Sequence, residues 1–269
     1  GLNNKQMKET TDIGLWNLLL AFVGMAIPLF VFYYFKLKVI KDMLVGMIRM
    51  VVQLFLVAVY LEWIFKLNSA WINSLWVLIM IFVGAGTVLQ RVKLNWKTFL
   101  LPFALAGFVS MLIIDSFFIG AVLQPDYFFD ARYFIPITGM VLGNSLNHNI
   151  VGLTAYFGGL QQKKELYYFL LTNSGSKRQA LLPFVSDALL KGLNPLIATM
   201  SVMGLISLPG MMTGQILGGA SPAIAIKYQI MIMLAIFVGC TLTLILSILF
   251  SGKQLFDEYG NLKPEIIRN

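Results

Sequence analysis

Charged residues are scarce in this chain. Only 12% of its 269 residues are Asp, Glu, Lys or Arg, whereas a soluble domain carries about 25%. Hydrophobic residues make up 58% of the chain, and its mean hydropathy is +0.81. This balance excludes an ordinary water-soluble globular domain, and we expect the lipid bilayer to be the medium in which the chain folds.

The chain has a single cysteine, a single histidine and no recognisable nucleotide-binding motif. The single cysteine, Cys240, excludes a disulfide within the chain, and the single histidine, His148, excludes a metal site built from several histidines. The phosphate-binding pattern G-x-x-x-x-G-K-[ST] is absent, and no convincing catalytic set is found. We therefore expect a protein that is not an enzyme and binds no cofactor itself. If ATP drives it, a separate subunit must bind the ATP.

Long, continuous apolar runs are what the sequence does contain. Runs of about 20 residues suffice to cross a bilayer as helices, whereas barrel strands would show short alternating patterns. We predict an all-α, polytopic transmembrane helical bundle with about seven spans, forming one domain over residues 1–269. The predicted spans are residues 14–35, 43–65, 71–89, 98–122, 134–157, 194–219 and 221–250.

Basic residues are unevenly divided among the connections. Fourteen lie in residues 36–42, 90–97 and 158–193 and after residue 250, and four lie in the other set. The four are Lys5, Lys8, Lys66 and Arg132. Because basic loops stay in the cytoplasm, we predict the N-terminus outside and the C-terminus inside. The net charge of +8 is thus an orientation signal, and we expect no nucleic-acid partner.

The connection over residues 158–193 is far longer than the others. Within it, Leu181, Leu182, Val185 and Leu189 follow the spacing of one apolar helix face. An amphipathic helix of this kind can lie on the membrane surface or fit the groove of a soluble partner. The sequence leaves both alternatives open.

Ionisable and amide side chains inside spans are costly unless paired or hydrated, so each is a functional candidate. Asn144, Asn147 and His148 share one face of the fifth span. They either form interhelical hydrogen bonds or line a path for a polar or cationic substrate. Asp115, in the outer part of the fourth span, could pair with Lys227.

A soft metal could be bound transiently by His148 together with Met211 or Met212, because thioethers suit soft metals. No metal site is firmly assigned from the sequence.

The stretch 207–222, SLPGMMTGQILGGASP, places poor helix formers between two apolar runs. Pro209 is expected to kink a helix. Gly210, Gly214 and Gly218 form a ridge of small residues suited to close helix contact. We predict a bent, closely packed element facing the protein interior, and interface, gate and substrate rim remain open roles for it.

The block LPGMMTGQILGG, followed by Pro222 and AIKYQI, resembles the signature of the FetB-like iron-export permeases. These are membrane subunits of an ABC transporter, with relatives linked to aluminium tolerance. Arg49 and Gln53, the run IPITGMVLGNSLN, Glu165, and Asn194 with Pro195 also fit the resemblance, which covers about residues 40–250. The loop YYFLLTNSGSKRQA and the pair His148–Asn149 depart from the pattern, so no metal role for His148 carries over.

The resemblance implies a homodimer of permeases in the cytoplasmic (inner) membrane, joined to ATP-binding cassette subunits and exporting a metal cation such as iron. A stand-alone secondary transporter or channel for a cation is the alternative. Residues 165–192 then become the expected coupling region, through Glu165, Leu181, Leu182, Val185 and Leu189. The candidates for the transport pathway are Asn144, Asn147, His148, Asp115, Met211, Met212 and Gln215. The expected gate or kink comprises Pro209, Gly210, Gly214 and Gly218.

Overall fold

The structure, a computed structural model, describes residues 12–263. These residues form helices joined by short connections, with no β-strand among them. The α-helices are α1 (Leu15–Val23), α2 (Ala26–Tyr34), α3 (Ile40–Leu67), α4 (Ala70–Val92), α5 (Trp96–Ile114), α6 (Ala131–Gln162), α7 (Lys164–Ser174), α8 (Lys177–Val202), α9 (Gly210–Leu217), α10 (Pro222–Phe250) and α11 (Gly252–Leu255). A π-helical segment, Asp115–Leu123, continues α5.

Six helical segments in the described part of the chain are long and apolar enough to cross a membrane. They are Leu15–Tyr34, Ile40–Leu67, Ala70–Val92, Trp96–Leu123, Lys177–Val202 and Pro222–Leu255. The 32-residue α6 is about 48 Å long, but its polar run GNSLNHN lowers its hydropathy. It packs among three of these segments as a seventh long helix. The predicted all-α membrane bundle is confirmed, whereas its orientation remains a prediction.

The core of the bundle consists of α4, α5, α6, α8 and α10, and α6 lies at its centre. Helix α6 packs along α4, α8 and α10, and α10 also packs along α5. Helix α8 runs antiparallel to α6, since Gly192 lies beside His148 while Phe184 lies beside Gly159. The polar run of α6 is therefore enclosed by protein on most sides, which is where a polar segment at membrane depth is tolerated.

Helices α1, α2 and α3 stand apart from this core. Among their described residues only Ile64 is buried. Near the end of α3, the ring of Tyr60 lies 4.4 Å, centroid to centroid, from that of Trp76 in α4. Along the rest of α3, Arg49 and Gln53 are exposed. This helix presents its length to lipid or to another protein surface.

The predicted sixth span, residues 194–219, is wrong as a single helix. Its first part is the end of α8, which starts at Lys177, and residues 203–209 break the helix before the short α9. Pro183 and Pro195 lie inside α8, although each removes a backbone donor. Packing against α6 and α10 offsets this loss.

The long connection predicted over residues 158–193 is also mostly helical and packed. Helix α6 continues to Gln162, α7 follows at once, and α8 begins at Lys177. Leu181, Val185 and Leu189 pack against the core, so the amphipathic helix does not lie free on a surface.

The bundle has two ends that we name by landmarks. At the Asn68 end, Oδ1 of Asn68 accepts a hydrogen bond from the backbone N–H of Ala131 at 2.8 Å. The opposite end carries α7, and we call it the α7 end. It also holds the α4–α5 connection and the segment after α10, so most of the basic residues lie there. Lys5, Lys8 and Arg268, which also entered the orientation argument, lie outside the described residues.

Candidate functional site

Asp115 is a buried carboxylate within the membrane-spanning part of the fold. It begins the π-helical segment after α5, and such segments are frequent at functional sites. The hydroxyl of Thr138 in α6 donates a hydrogen bond to Oδ2 of Asp115 at 3.0 Å. Its other oxygen, Oδ1, has no hydrogen-bond partner, and the residue is only 5% exposed. The carboxylate therefore keeps one oxygen available for a ligand.

This carboxylate lines a cavity of about 290 Å³ between α4, the end of α5 and the start of α6. Ser74 and Ser116 are the other polar side chains of its wall, which is otherwise apolar and aromatic. Lys227 is exposed on α10, and the described residues contain no ion pair between it and Asp115. The suggested Asp115–Lys227 pair is therefore wrong. A carboxylate in this setting can hold a cation or a proton.

The polar side chains on this face of α6 lie in different environments. Nδ2 of Asn144 donates to the carbonyl of Met140 in its own helix at 2.8 Å, and Asn147 is exposed. Nδ1 of His148 lies 2.8 Å from the carbonyl oxygen of Gly192 in α8. Because a carbonyl can only accept, Nδ1 must carry the proton. For His148 the structure favours the interhelical hydrogen bond over a free lining group.

Two buried polar residues were not among the site residues proposed from the sequence. Asn149 and Thr243 face a small cavity of about 40 Å³ between α4, α5, α6 and α10. Oδ1 of Asn149 and Oγ1 of Thr243 are buried without a partner. A cavity of this size has room for water. The only sequence signal for Thr243 was its hydroxyl within a long apolar run.

The methionines of α9 are not brought into contact with His148. Met211 packs against the hydrophobic core. Met212 lines a third cavity whose wall does not include His148. Gln215 is partly buried, and its Oε1 has no partner. The suggested site combining His148 with Met211 or Met212 is therefore not formed. The described residues also hold no cluster of three His, Cys, Asp or Glu side chains.

The proline and glycines of the 207–222 stretch have a different role from the predicted one. Pro209 stands just before the first residue of α9 and does not kink a helix, because the first turn of a helix needs no donor from it. A Cβ added at Gly210 or Gly214 would meet no atom within 4 Å, and at Gly218 it would meet only backbone of α9. Within the single chain these glycines mediate no close helix contact.

At the α7 end, the C-terminal segment is tied to α7 and α8. The hydroxyl of Tyr167 donates to the carbonyl of Gly260 at 2.7 Å, and the N–H of Leu262 donates to the Tyr168 hydroxyl at 3.2 Å. Nζ of Lys177 lies 3.9 Å from the centroid of the Phe256 ring. These contacts make α7 and residues 252–263 one structural unit.

Several side chains on and next to this unit are exposed. Glu165, Leu166 and Phe169 of α7 are exposed, as is Leu182 of α8. Of the predicted coupling residues, Glu165 and Leu182 are thus available to a partner. Leu181, Val185 and Leu189 are not, because they pack inside the chain.

Comparison with known proteins relates most of the chain to one group of membrane proteins. The profile of the family described as "Uncharacterised protein family (UPF0014)" matches residues 15–256. The UPF0014 membrane protein YjkA of Bacillus subtilis is 31% identical over 247 residues, covering 92% of this chain and 97% of YjkA. No solved structure matches the chain.

Two further relatives carry more descriptive names. The "Probable iron export permease protein FetB" of Escherichia coli is 26% identical over 251 residues, covering 91% of this chain and 93% of FetB. "Protein ALUMINUM SENSITIVE 3" of Arabidopsis thaliana is 30% identical over 248 residues, covering 91% and 89%. These matches confirm the resemblance drawn from the LPGMMTGQILGG block. The chain is a multi-pass membrane protein and belongs to the UPF0014 family.

Proposed function

We propose that this chain is the membrane permease subunit of an ABC transporter that exports a metal cation, with iron as the first candidate. In this proposal ATP is hydrolysed on a separate ATP-binding cassette subunit, and the chain lies in the cytoplasmic membrane. The observation that carries it is the similarity to the probable iron export permease FetB, which extends over 91% of the chain.

The buried Asp115 supports a cationic substrate. A carboxylate at membrane depth is expensive unless it has a ligand or a hydrated path, and Oδ1 of Asp115 is left without a partner beside a cavity. A metal cation passing through this cavity would supply the missing interaction. The same residue also favours the second candidate, a stand-alone secondary transporter, because such proteins use intramembrane carboxylates as ion or proton sites. The two differ in whether transport requires an ATP-binding subunit.

The surface at the α7 end supports coupling to a soluble partner. Following the positive-inside rule, we expect this basic end to lie in the cytoplasm, where ATP is available. There Phe169 is 63% exposed and Leu166 lies nearby on the same helix. Large apolar side chains on a water-facing helix are typical anchors for a partner. We assign the docking surface to α7, with Glu165 and Leu182 at its edge.

The exposure of α3 supports the association of two copies of the chain. Arg49 and Gln53 are exposed in the first half of this helix, and polar side chains within a span rarely face lipid. A homodimer in which α3 contacts the partner copy would cover them.

The test of the proposal is ATPase coupling in a co-purified complex. The permease and the ATP-binding subunit are reconstituted together, and ATP hydrolysis is measured with and without Fe²⁺. Phe169→Asp is expected to lower co-purification of the ATP-binding subunit and its stimulation by the permease. Val39→Asp is the matched control, because Val39 is exposed at the same end between α2 and α3 but lies apart from α7.

The control variant should behave as the wild type. Equal loss in both variants would contradict the assignment of the docking surface to α7. Failure of the wild-type permease to bind any ATP-binding subunit would contradict the transporter proposal itself.

A further inference from the structure

A cavity of about 530 Å³ lies at the Asn68 end between α8, α9, α10 and the segment 203–209. Its wall consists of Met200, Met203, Gly204, Leu208, Pro209, Met212, Ile226, Gln229, Ile230, Met233 and Leu234. Four of these eleven residues are methionines, although methionine accounts for only 14 of the 269 residues of the chain. The thioethers come from three helices and from the break after α8, so the fold brings together residues that are distant in sequence.

Gln229 gives this cavity a polar group without a partner. The residue is only 7% exposed, and Nε2 lies 4.0 Å from Sδ of Met203. Its Oε1 is buried and accepts no hydrogen bond. Leaving a buried acceptor without a hydrogen bond is energetically unfavourable. The unpartnered amide oxygen therefore indicates a position where a ligand could bind.

The composition of the wall decides which ligand fits. A water molecule would satisfy the amide oxygen but gain nothing from the sulfurs, and an apolar molecule would leave the oxygen unpaired. A cation can take both kinds of donor. Hard divalent cations take several oxygen ligands, usually with carboxylates among them, whereas Gln229 is the one lining residue with a side-chain oxygen. Thioethers select soft ions such as Cu⁺, and a neutral ligand set suits a single positive charge.

We propose that this cavity binds a soft monovalent metal cation through the thioethers of Met200, Met203, Met212 and Met233 and the amide oxygen of Gln229. The site belongs to the isolated chain and does not depend on the ATP-driven transport proposed above.

The test is a titration of the full chain, purified in detergent, with Ag⁺ in chloride-free buffer. Every protein in the test, including the reference called wild type below, carries Cys240→Ala, because the free thiol of Cys240 would itself bind Ag⁺. This reference is expected to bind one Ag⁺ per chain. Replacing Met200, Met203 and Met212 together by Leu should weaken binding by at least about tenfold, equivalent to about 1.4 kcal/mol. Leu fills nearly the same volume as Met, so the fold should tolerate the change. The matched control replaces Met43, Met47 and Met50 of α3 by Leu and should bind as the wild type does.

A second variant, Gln229→Leu, retains all four sulfurs and separates the role of the oxygen. It should bind Ag⁺ more weakly than the wild type and more tightly than the triple cavity variant. X-ray absorption can show which atoms surround the bound silver. Sulfur neighbours in wild type that are absent in the triple cavity variant would support the site. Unchanged affinity in the triple cavity variant, equal loss in the α3 control, or no binding to wild type would overturn it.

Discussion

Gly152 of α6 and Gly192 of α8 lie so close together that a Cβ added to Gly192 would stand 3.4 Å from the Cα of Gly152. The same added atom would lie 3.2 Å from the carbonyl oxygen of His148 and 3.0 Å from a methyl group of Leu244. Helices in membranes associate through such small-residue contacts. This contact holds α8 against α6.

The first prediction concerns this contact. Gly192→Val forces a branched side chain into occupied space and should destabilise the fold by about 1–3 kcal/mol. The measurement is the thermal unfolding midpoint of the detergent-solubilised protein. Gly143→Ala is the control, because a Cβ there meets no atom within 4 Å, and it should not lower the midpoint. A midpoint unchanged in Gly192→Val would contradict the close packing of α6 and α8.

The second prediction concerns the charge of Asp115. Asn in its place keeps the shape and can still accept the hydrogen bond of Thr138, but it cannot attract a cation. Asp115→Asn should therefore lower the rate of metal transport at least about tenfold, or about 1.4 kcal/mol, while the unfolding midpoint changes little. Asp126→Asn, at an exposed position in the π-helix–α6 connection, is the control and should transport normally. If Asp115→Asn transports metal at the wild-type rate, this carboxylate is not part of the transport pathway.

The third prediction separates the two roles considered for His148. If the imidazole mainly bonds α6 to α8, His148→Leu should cost about 0.5–1.5 kcal/mol of stability and leave the preference among metal ions unchanged. Stability and the relative transport of several metal ions are measured on the same preparation. A changed ion preference with intact stability would show that His148 contacts the substrate.

The fourth prediction concerns the turn at the α7 end. Asn261 donates from its side chain to Asp257 at 3.0 Å and from its backbone at 2.7 Å, and the N–H of Tyr259 donates at 2.9 Å. Chiefly through the Asn261 side chain, these bonds lower the pKa of Asp257 below its usual 3.8. A lowered pKa in the folded state means that the carboxylate stabilises the turn above that usual value. The stabilisation is lost as pH falls through the lowered pKa.

Hydrogen exchange of the Tyr259 and Asn261 amides, corrected for the intrinsic pH dependence, checks this expectation. Protection should persist from neutral pH down to about 4 and fall at lower pH. Asp257→Asn should abolish that fall, whereas Glu258→Gln should retain it. Identical pH profiles in wild type and Asp257→Asn would contradict the role given to this carboxylate.

Most membrane helices could be predicted because continuous apolar sequence is a local property. The expected span 43–65 is α3, 71–89 is α4, and 221–250 corresponds closely to α10. Helix α8 could not be recognised as a whole, because Pro183, Pro195 and the ion pair of Asp187 with Lys191 lower its apolar character. That pair spans one helical turn, with Nζ of Lys191 2.8 Å from Oδ2 of Asp187, so the charges are compatible with the helix.

The candidate site was predictable only in part, because its groups come from different helices. Asp115 was recognisable since a carboxylate in an apolar run is costly. Its partner Thr138 was not, because it lies 23 residues away in another helix. The methionine cavity depends likewise on α8 ending at Val202 and on α9 folding back beside α10, which local sequence patterns do not specify.

We propose that this chain moves a metal cation only when a separate subunit hydrolyses ATP. The most direct measurement is metal flux across sealed vesicles that contain the permease alone or the permease with its ATP-binding subunit, each with and without ATP. Metal flux is expected only when the ATP-binding subunit and ATP are both present, and no flux is expected with a non-hydrolysable ATP analogue. Metal flux through vesicles containing the permease alone would contradict it.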